Sequence, residues 1–144
     1  MKKLTALIAG ATLSAILLTG CHSDEKVKPD ALLYHRFALV KANGDEVKVE
    51  QDQEVPYIEF NENFNISGKM CNNFSGQAIY KDGKITSDNL VSTKMLCPSD
   101  QLNKLDYMID EMLKRGANVA LRNNQLTLKS GNDILIFNLR DVVN

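Results

Sequence analysis

Apolar and polar residues alternate in several short stretches of the chain after residue 30, which is the period of half-buried β-strands. The first such stretch runs from Tyr34 to Lys41 and meets Asn43-Gly44, a dipeptide that favours a tight hairpin, with Val47 and Val49 on the return strand. The same alternation predicts two further hairpins and a three-stranded meander, at 56–60 with 64–67, 78–80 with 84–86, and 119–122, 126–129 and 134–140.

One segment between these strands has the helical period instead. Its apolar residues share one stripe at spacings of three and four: Leu102, Leu105, Ile109, Met112 and Leu113. Pro98 suits the first turn of this helix, and Gly116 suits its end. Because a lone amphipathic helix among strands must bury its stripe against a sheet, the sequence predicts an α+β fold with a bent or partly closed antiparallel β-sheet packed on one amphipathic helix.

The N-terminus has the pattern of a secretory signal. Two lysines precede an apolar stretch, 4–18, which is shorter than the roughly 20 residues that a spanning helix needs. Leu18-Thr19-Gly20-Cys21 then resembles a bacterial lipobox. We therefore expect residues 1–20 to be a lipoprotein signal peptide, Cys21 to be the lipidated N-terminus, residues 21–30 to be a tether and residues 31–144 to form one domain.

The predicted lipid anchor indicates a location. The chain would be held on a membrane by acyl chains and would not cross it. His22 stands where an aspartate would favour the inner membrane, so lipoprotein sorting predicts the outer membrane, with the domain facing the periplasm.

Composition adds one exclusion. The whole chain has 17 Lys+Arg and 18 Asp+Glu, a formal charge of −1, and lacks a clustered basic stretch. A surface that follows a phosphate backbone needs such a cluster, so we expect no nucleic-acid partner.

Two cysteines, Cys71 and Cys97, remain after Cys21 is assigned to lipid. An even pair in an oxidising compartment favours a disulfide. A free, buried pair is the alternative, because sequence does not supply the separation that bonding requires. Neither cysteine has the surroundings of a reactive thiolate.

Candidate catalytic groups are scarce. The two histidines, His22 and His35, lie in the predicted tether and just after it, which leaves little material for a zinc site or a serine-histidine-carboxylate triad. Nucleotide-binding and hydrolase motifs are absent from the sequence. We therefore predict no catalytic residues, no metal, no cofactor and no enzymatic activity.

The most unusual segment is 68–76, where Asn72, Asn73, Phe74 and Ser75 follow Cys71. These residue types are typical of a structural loop in which Phe74 plugs the core. Alternatively, they form a binding loop at the mouth of a barrel, with Asn72, Asn73 and Ser75 as polar contacts.

Three blocks carry a resemblance to a known family: Ile66-Ser67-Gly68, Met70-Cys71-Asn72-Asn73-Phe74-Ser75-Gly76 and Thr93-Lys94-Met95-Leu96-Cys97-Pro98. With them the chain resembles the META-domain family, although Phe37 stands where many members have tryptophan. The resemblance implies antiparallel strands wrapped on one helix, no established reaction and no catalytic residues. It also implies an envelope stress role, with heat-shock induction and novobiocin tolerance.

The leading hypothesis is a non-enzymatic lipoprotein that contacts an unidentified envelope protein or lipid through the open side of its sheet. One alternative is a carrier or pilot-like chaperone whose partly closed barrel holds a lipid tail or an amphipathic peptide. Another is an inhibitor of a periplasmic hydrolase, with residues 72–76 as an exposed wedge.

Overall fold

The structure is a computed structural model and describes residues 25–142. The predicted signal peptide, Cys21 and the tether up to Asp24 lie outside the described residues. The described part contains one α-helix, α1 (Asp100–Arg115), and short 3-10 turns at Pro29–Ala31 and Glu62–Phe64. Its strands in chain order are β1 (His35–Ala42), β2 (Asp45–Glu46), β3 (Tyr57–Phe60), β4 (Asn65–Lys69), β5 (Asn73–Gln77), β6 (Ile79–Lys81), β7 (Lys84–Thr86), β8 (Val91–Ser92), β9 (Ala117–Arg122), β10 (Gln125–Ser130) and β11 (Asp133–Val142).

These strands form a single curled sheet in the described chain. The order is β6-β7-β9-β10-β11-β1-β3-β4-β5-β8, with β2 beside β1, and the pairings are antiparallel. The chain passes from β5 to β6 through Ala78 alone, although these strands lie near opposite ends of that order. The sheet therefore curls until its ends approach each other, and the Ser87 hydroxyl donates to the Gln77 carbonyl across the bend at 2.8 Å.

The core lies between the concave face of this half-barrel and α1. The stripe predicted for the helix is the buried one, and it packs with sheet residues that include the fully buried rings of Phe37, Phe60 and Phe137. The prediction of a bent antiparallel sheet on one amphipathic helix is thus confirmed.

The start of α1 differs slightly from the prediction, whereas its end at Gly116 agrees with it. Ser99 is the N-cap, and its hydroxyl accepts a hydrogen bond from the Leu102 amide at 3.3 Å. Pro98 therefore precedes the cap instead of lying in the first turn. Gly116 ends the helix with a φ of 91°, a conformation that other residues rarely adopt.

The first hairpin turns at Asn43-Gly44, as predicted, with φ angles of 50° and 87°. Its return strand is shorter than predicted. β2 ends at Glu46, and both Val47 and Val49 lie beyond it. The reason is competition for one edge of β1: β2 pairs with its last two residues, and β3 occupies positions 35–38 of the same strand.

The last residues of the predicted tether lie against the domain. The Lys26 ammonium pairs with Asp82 at 3.0 Å, and the Tyr80 hydroxyl donates to the Val27 carbonyl at 2.6 Å. Val27 is partly buried against the core. Within residues 25–142 there is no helix of the length and apolarity that crossing a bilayer requires.

Candidate functional site

The segment predicted as a loop is mostly a strand. Residues 73–77 form β5, which lies between β4 and β8 in the sheet. Strand alternation points Phe74 into the core and leaves Asn73 and Ser75 exposed, while Asn72 is buried in the turn before the strand. The four residues are therefore not presented together as a protruding wedge.

The position of the Phe74 ring explains why the neighbouring strand has a glycine, Gly68. Gly68 in β4 lies directly opposite Phe74 in β5. A Cβ at Gly68 would collide with the Phe74 ring and with the Tyr57 carbonyl. Only glycine leaves room for the ring to cover the strand, so this part of the segment serves packing.

Asn72 is the centre of a hydrogen-bond network, and its side chain is only 7% exposed. Its Oδ1 accepts from the Met95 amide at 2.7 Å and from the Thr93 hydroxyl at 2.9 Å. Its Nδ2 donates to the Met95 carbonyl at 2.9 Å and to Asp106 Oδ2 at 2.6 Å. Because a carbonyl and a carboxylate only accept, these partners fix the orientation of the amide.

Asp106 on α1 completes this network. Its Oδ1 accepts from the backbone amides of Cys71 at 3.0 Å and Asn72 at 2.9 Å. One helix carboxylate therefore orders the turn and also orients the Asn72 side chain. Asp106 could not be predicted as a site residue, since nothing in the local sequence separates it from the other acidic residues of the helix.

A second connection between the Cys71-Asn72 turn and this segment is at Cys97, two residues beyond Met95. Cys71 and Cys97 are joined by a disulfide, with Cα atoms 5.9 Å apart. Asn103 on α1 accepts from the Cys97 amide at 3.0 Å and donates to its carbonyl at 2.8 Å. Residues 93–97, here called the held segment, begin with one backbone hydrogen bond that continues the β5–β8 pairing, from the Thr93 amide to the Asn73 carbonyl at 3.0 Å. Beyond Thr93 the segment is fixed by the Asn72 and Asn103 side chains and the disulfide.

The held segment presents apolar side chains to solvent. Met95 is 72% exposed and Leu96 is 89% exposed, although the backbone between them is restrained. Leu96 also lines a surface groove of about 650 Å³ along α1, the helix groove. The groove is lined by Leu96, Asp100, Asn103, Lys104, Tyr107, Met108, Glu111, Arg115 and Asp133. Its charges are of both signs, and Arg115 pairs with Asp133 at 2.9 Å.

A buried carboxylate on the outer face of the sheet serves a different purpose. Glu59 forms an ion pair with Arg36 and accepts from the Ser67 hydroxyl at 3.2 Å. Burial would lower the pKa of Arg36, but the hydrogen bond and charge of Glu59 raise it above its ordinary value. Arg36 also stacks 4.1 Å from the centre of the Tyr57 ring, and burial and then Glu54 raise the pKa of Tyr57. Because these groups satisfy one another, the cluster braces β1, β3 and β4.

The predicted lack of a metal and of catalytic residues stays a prediction. Among residues 25–142, no three His, Cys, Asp or Glu side chains gather closely enough to hold a metal ion. The Nδ1 atom of His35 lies 2.8 Å from the Leu33 carbonyl, and His22 lies outside the described residues.

The fold and site define a small α+β scaffold: one helix inside a curled antiparallel sheet, with a Cys-Asn turn bonded to that helix. The META domain model matches residues 30–141, and the chain belongs to the META-domain family. Heat shock protein HslJ of Escherichia coli (strain K12) is 43% identical over 146 residues, covering 100% of both chains. The family is therefore heat-shock-related, and neither name describes an enzyme.

Two solved structures have the same architecture. An NMR structure that is 45% identical superposes with a TM-score of 0.74 and covers 82% of this chain and 99% of its own. A second NMR structure, of a protein from Burkholderia xenovorans, is 20% identical with a TM-score of 0.62, and covers 97% of this chain and 99% of its own. At that identity the second likeness shows the fold alone.

Proposed function

We propose that the chain is a non-enzymatic, lipid-anchored protein of the outer membrane that supports the cell envelope during stress by binding another envelope protein through the held segment and the helix groove. Heat shock and exposure to novobiocin are the proposed stresses. The lipobox-like Leu18-Thr19-Gly20-Cys21 supports the anchor, and the relationship to a heat shock protein supports the stress role. The observation that carries the binding surface is the exposure of Met95 and Leu96 on a restrained backbone.

The restraint matters because binding normally orders flexible groups at a cost in entropy. Asn72 and the disulfide fix the held segment before any partner arrives, so less conformational freedom is lost on association. Contiguous exposed apolar surface is also a mark of interaction sites, and Leu96 continues into the groove beside Tyr107.

The charges around the groove favour a protein partner. Three acidic residues and two basic ones line it: Asp100, Glu111, Asp133, Lys104 and Arg115. An anionic membrane surface would attract a positive rim, whereas a mixed rim around an apolar strip fits the surface of another protein.

The structure offers the two alternatives less support. The described half-barrel is filled by buried side chains, including the rings of Phe37, Phe60 and Phe137, where a carrier would need space for a lipid tail or peptide. An inhibitor wedge formed by residues 72–76 would need a protruding loop, whereas 73–77 form a paired strand.

A photo-crosslinking amino acid at Leu96 tests the partner in cells that carry the full-length protein. We expect a specific protein adduct from position 96. A matched probe at Asn123, in an exposed turn between β9 and β10, should give none. Equal adducts from both positions, or none from position 96, would contradict the proposed surface.

The stress role is tested in a strain whose only copy carries Leu96→Asp. Since a carboxylate in the centre of an apolar contact is strongly unfavourable, we expect loss of growth at high temperature and with novobiocin. Asn124→Asp adds the same charge in an exposed turn and should leave growth unchanged. Protein levels are compared by immunoblot, and wild-type growth of the Leu96→Asp strain would refute the role of this surface.

A further inference from the structure

The N-terminal end of the described domain is attached to one particular hairpin, β6–β7 (residues 79–86). Lys26 pairs with Asp82 in the turn of this hairpin, and the side chain of Lys26 also covers Gly83. Tyr80 on β6 holds the backbone of Val27 by a hydrogen bond of 2.6 Å. The chain therefore reaches the domain at this hairpin.

The outer face of the hairpin is cationic and apolar. Lys81 and Lys84 lie directly opposite each other across the two strands, and both are exposed. Like charges in that position destabilise a strand pair, and an anionic surface outside the fold would relieve their repulsion. Ile79 shares the face with Lys81 by strand alternation and is 67% exposed.

We propose that this outer face of the β6–β7 hairpin rests on the anionic phospholipid headgroups of the leaflet that holds the anchor. The inference rests on the proposed lipidation of Cys21. About five residues separate Cys21 from Lys26, a contour of at most about 18 Å, so an acylated chain keeps the hairpin close to the bilayer. The lysines bind phosphate groups, and Ile79 enters the interface between headgroups and acyl chains.

This surface differs from the helix groove in the sign of its charge. Lys26, Lys81 and Lys84 surround the hairpin, and Asp82, the acid of its turn, is already paired with Lys26. The lipid-facing surface and the protein-binding surface are therefore built from separate residues. Docking of the hairpin would hold the domain in one orientation and present the groove in a constant direction.

Tryptophan fluorescence tests the orientation, because the chain has no native tryptophan. Ile79→Trp places a single reporter on the hairpin, and Tyr107→Trp places one on α1, where the replaced side chain is 71% exposed. Both variants are purified with their lipid anchor and inserted into vesicles of phosphatidylethanolamine and phosphatidylglycerol that contain lipids spin-labelled at the headgroup. We expect at least about 3-fold stronger quenching for Ile79→Trp than for Tyr107→Trp, since quenching falls steeply beyond contact distance. Equal or reversed quenching would overturn the proposal.

The charge dependence is tested by adding Lys81→Gln and Lys84→Gln to the Ile79→Trp protein. Each lysine near an anionic surface contributes about 5-fold to the docking equilibrium, so losing both should reduce it by about 30-fold. The matched control, Lys41→Gln with Lys129→Gln, removes the same charge from exposed positions on β1 and β10 and should not change quenching. Quenching that is unaffected by the first pair, or lowered equally by the second, would overturn the proposal.

Mass spectrometry of the purified protein separates the two possible failures. An acylated chain with an unquenched Ile79→Trp reporter would refute docking while leaving the proposed anchor intact. A chain without acyl groups at Cys21 would refute the anchor, and the docking proposal would fail with it.

Discussion

Removing the Asn72 side chain should release the held segment. The loss in free energy of unfolding can be estimated from the hydrogen bonds that the side chain makes. Apart from a weak contact with the Cys71 sulfur, the amide makes four hydrogen bonds, one of them to the carboxylate of Asp106. Neutral bonds contribute about 1 kcal/mol each and a bond to a charged group contributes about 1.5–3 kcal/mol, which gives an upper limit near 6 kcal/mol. Because water can reach Thr93 and Met95 in the variant, we expect Asn72→Ala to lower the free energy of unfolding by about 2–3 kcal/mol.

Asn72→Asp provides a sharper test because it keeps the shape and exchanges one donor for an acceptor. The new carboxylate would face Asp106 Oδ2, which lies 2.6 Å from the native Nδ2 atom. Two carboxylates at that distance must share a proton, so the pKa of the pair rises above the ordinary value of about 3.9 in the folded state. A raised folded pKa gives stability that is present at low pH and lost as pH rises through that pKa.

Urea denaturation followed by circular dichroism at pH 5 and pH 8, with the disulfide intact, measures both variants. Asn72→Asp should be less stable than Asn72→Ala by about 2 kcal/mol at pH 8, and the gap should narrow at pH 5. Asn73, the next residue, is exposed, so Asn73→Ala and Asn73→Asp should each change stability by less than about 0.5 kcal/mol. Identical pH dependence of the two Asn72 variants would refute the role assigned to the Asp106 contact.

Three further predictions use the same denaturation assay. Gly68→Ala should lower the free energy of unfolding by about 1–3 kcal/mol, because its methyl group overlaps the Phe74 ring, and a loss below about 0.5 kcal/mol would contradict that packing. Replacing Cys71 and Cys97 together by alanine opens a separation of 26 residues and should cost about 3.5 kcal/mol while the native circular dichroism spectrum is retained; an unchanged urea midpoint would count against it. Burial raises the pKa of the Tyr80 hydroxyl above 10.0. The stability that the neutral Tyr80 hydroxyl gives the folded protein is therefore fully present below about pH 10 and is lost as pH rises through the raised value. Tyr80→Phe should cost about 1 kcal/mol at pH 7 and less at pH 10.5, and a cost that grows with pH would be inconsistent with this assignment.

The sequence predicted those parts of the fold that depend on near neighbours. Alternation located the hairpins and the C-terminal meander, although it missed β5, and the stripe from Leu102 to Leu113 located the buried face of α1. The turn at Asn43-Gly44 also depends on near neighbours, because Asn43 has a φ of 50°, which asparagine tolerates better than most residues.

The candidate site was only partly predictable. The residue types of segment 68–76 predicted Asn72 as a candidate site residue. Its partners Met95 and Asp106, however, lie 23 and 34 residues away along the chain. Segment 93–97 has no strong local signal, because beyond Thr93 it is held by side chains from the Cys71-Asn72 turn and from α1. The ion pair of Lys26 could not be predicted for the same reason, since its partner Asp82 is 56 residues away along the chain.

What the sequence by itself determined was therefore the kind and approximate position of most elements, together with the pattern expected of an exported lipoprotein. Only the tertiary structure decided the order of the strands, the curl that brings β5 and β6 together from near opposite ends of that order, and the exposure of Met95 and Leu96 beside the helix groove. The physical reason is that periodicity and turn preference depend on residues a few positions apart. Strand order and the side-chain hydrogen bonds between distant residues, in contrast, depend on which distant surfaces pack together most favourably. A local sequence pattern does not indicate which surfaces these are.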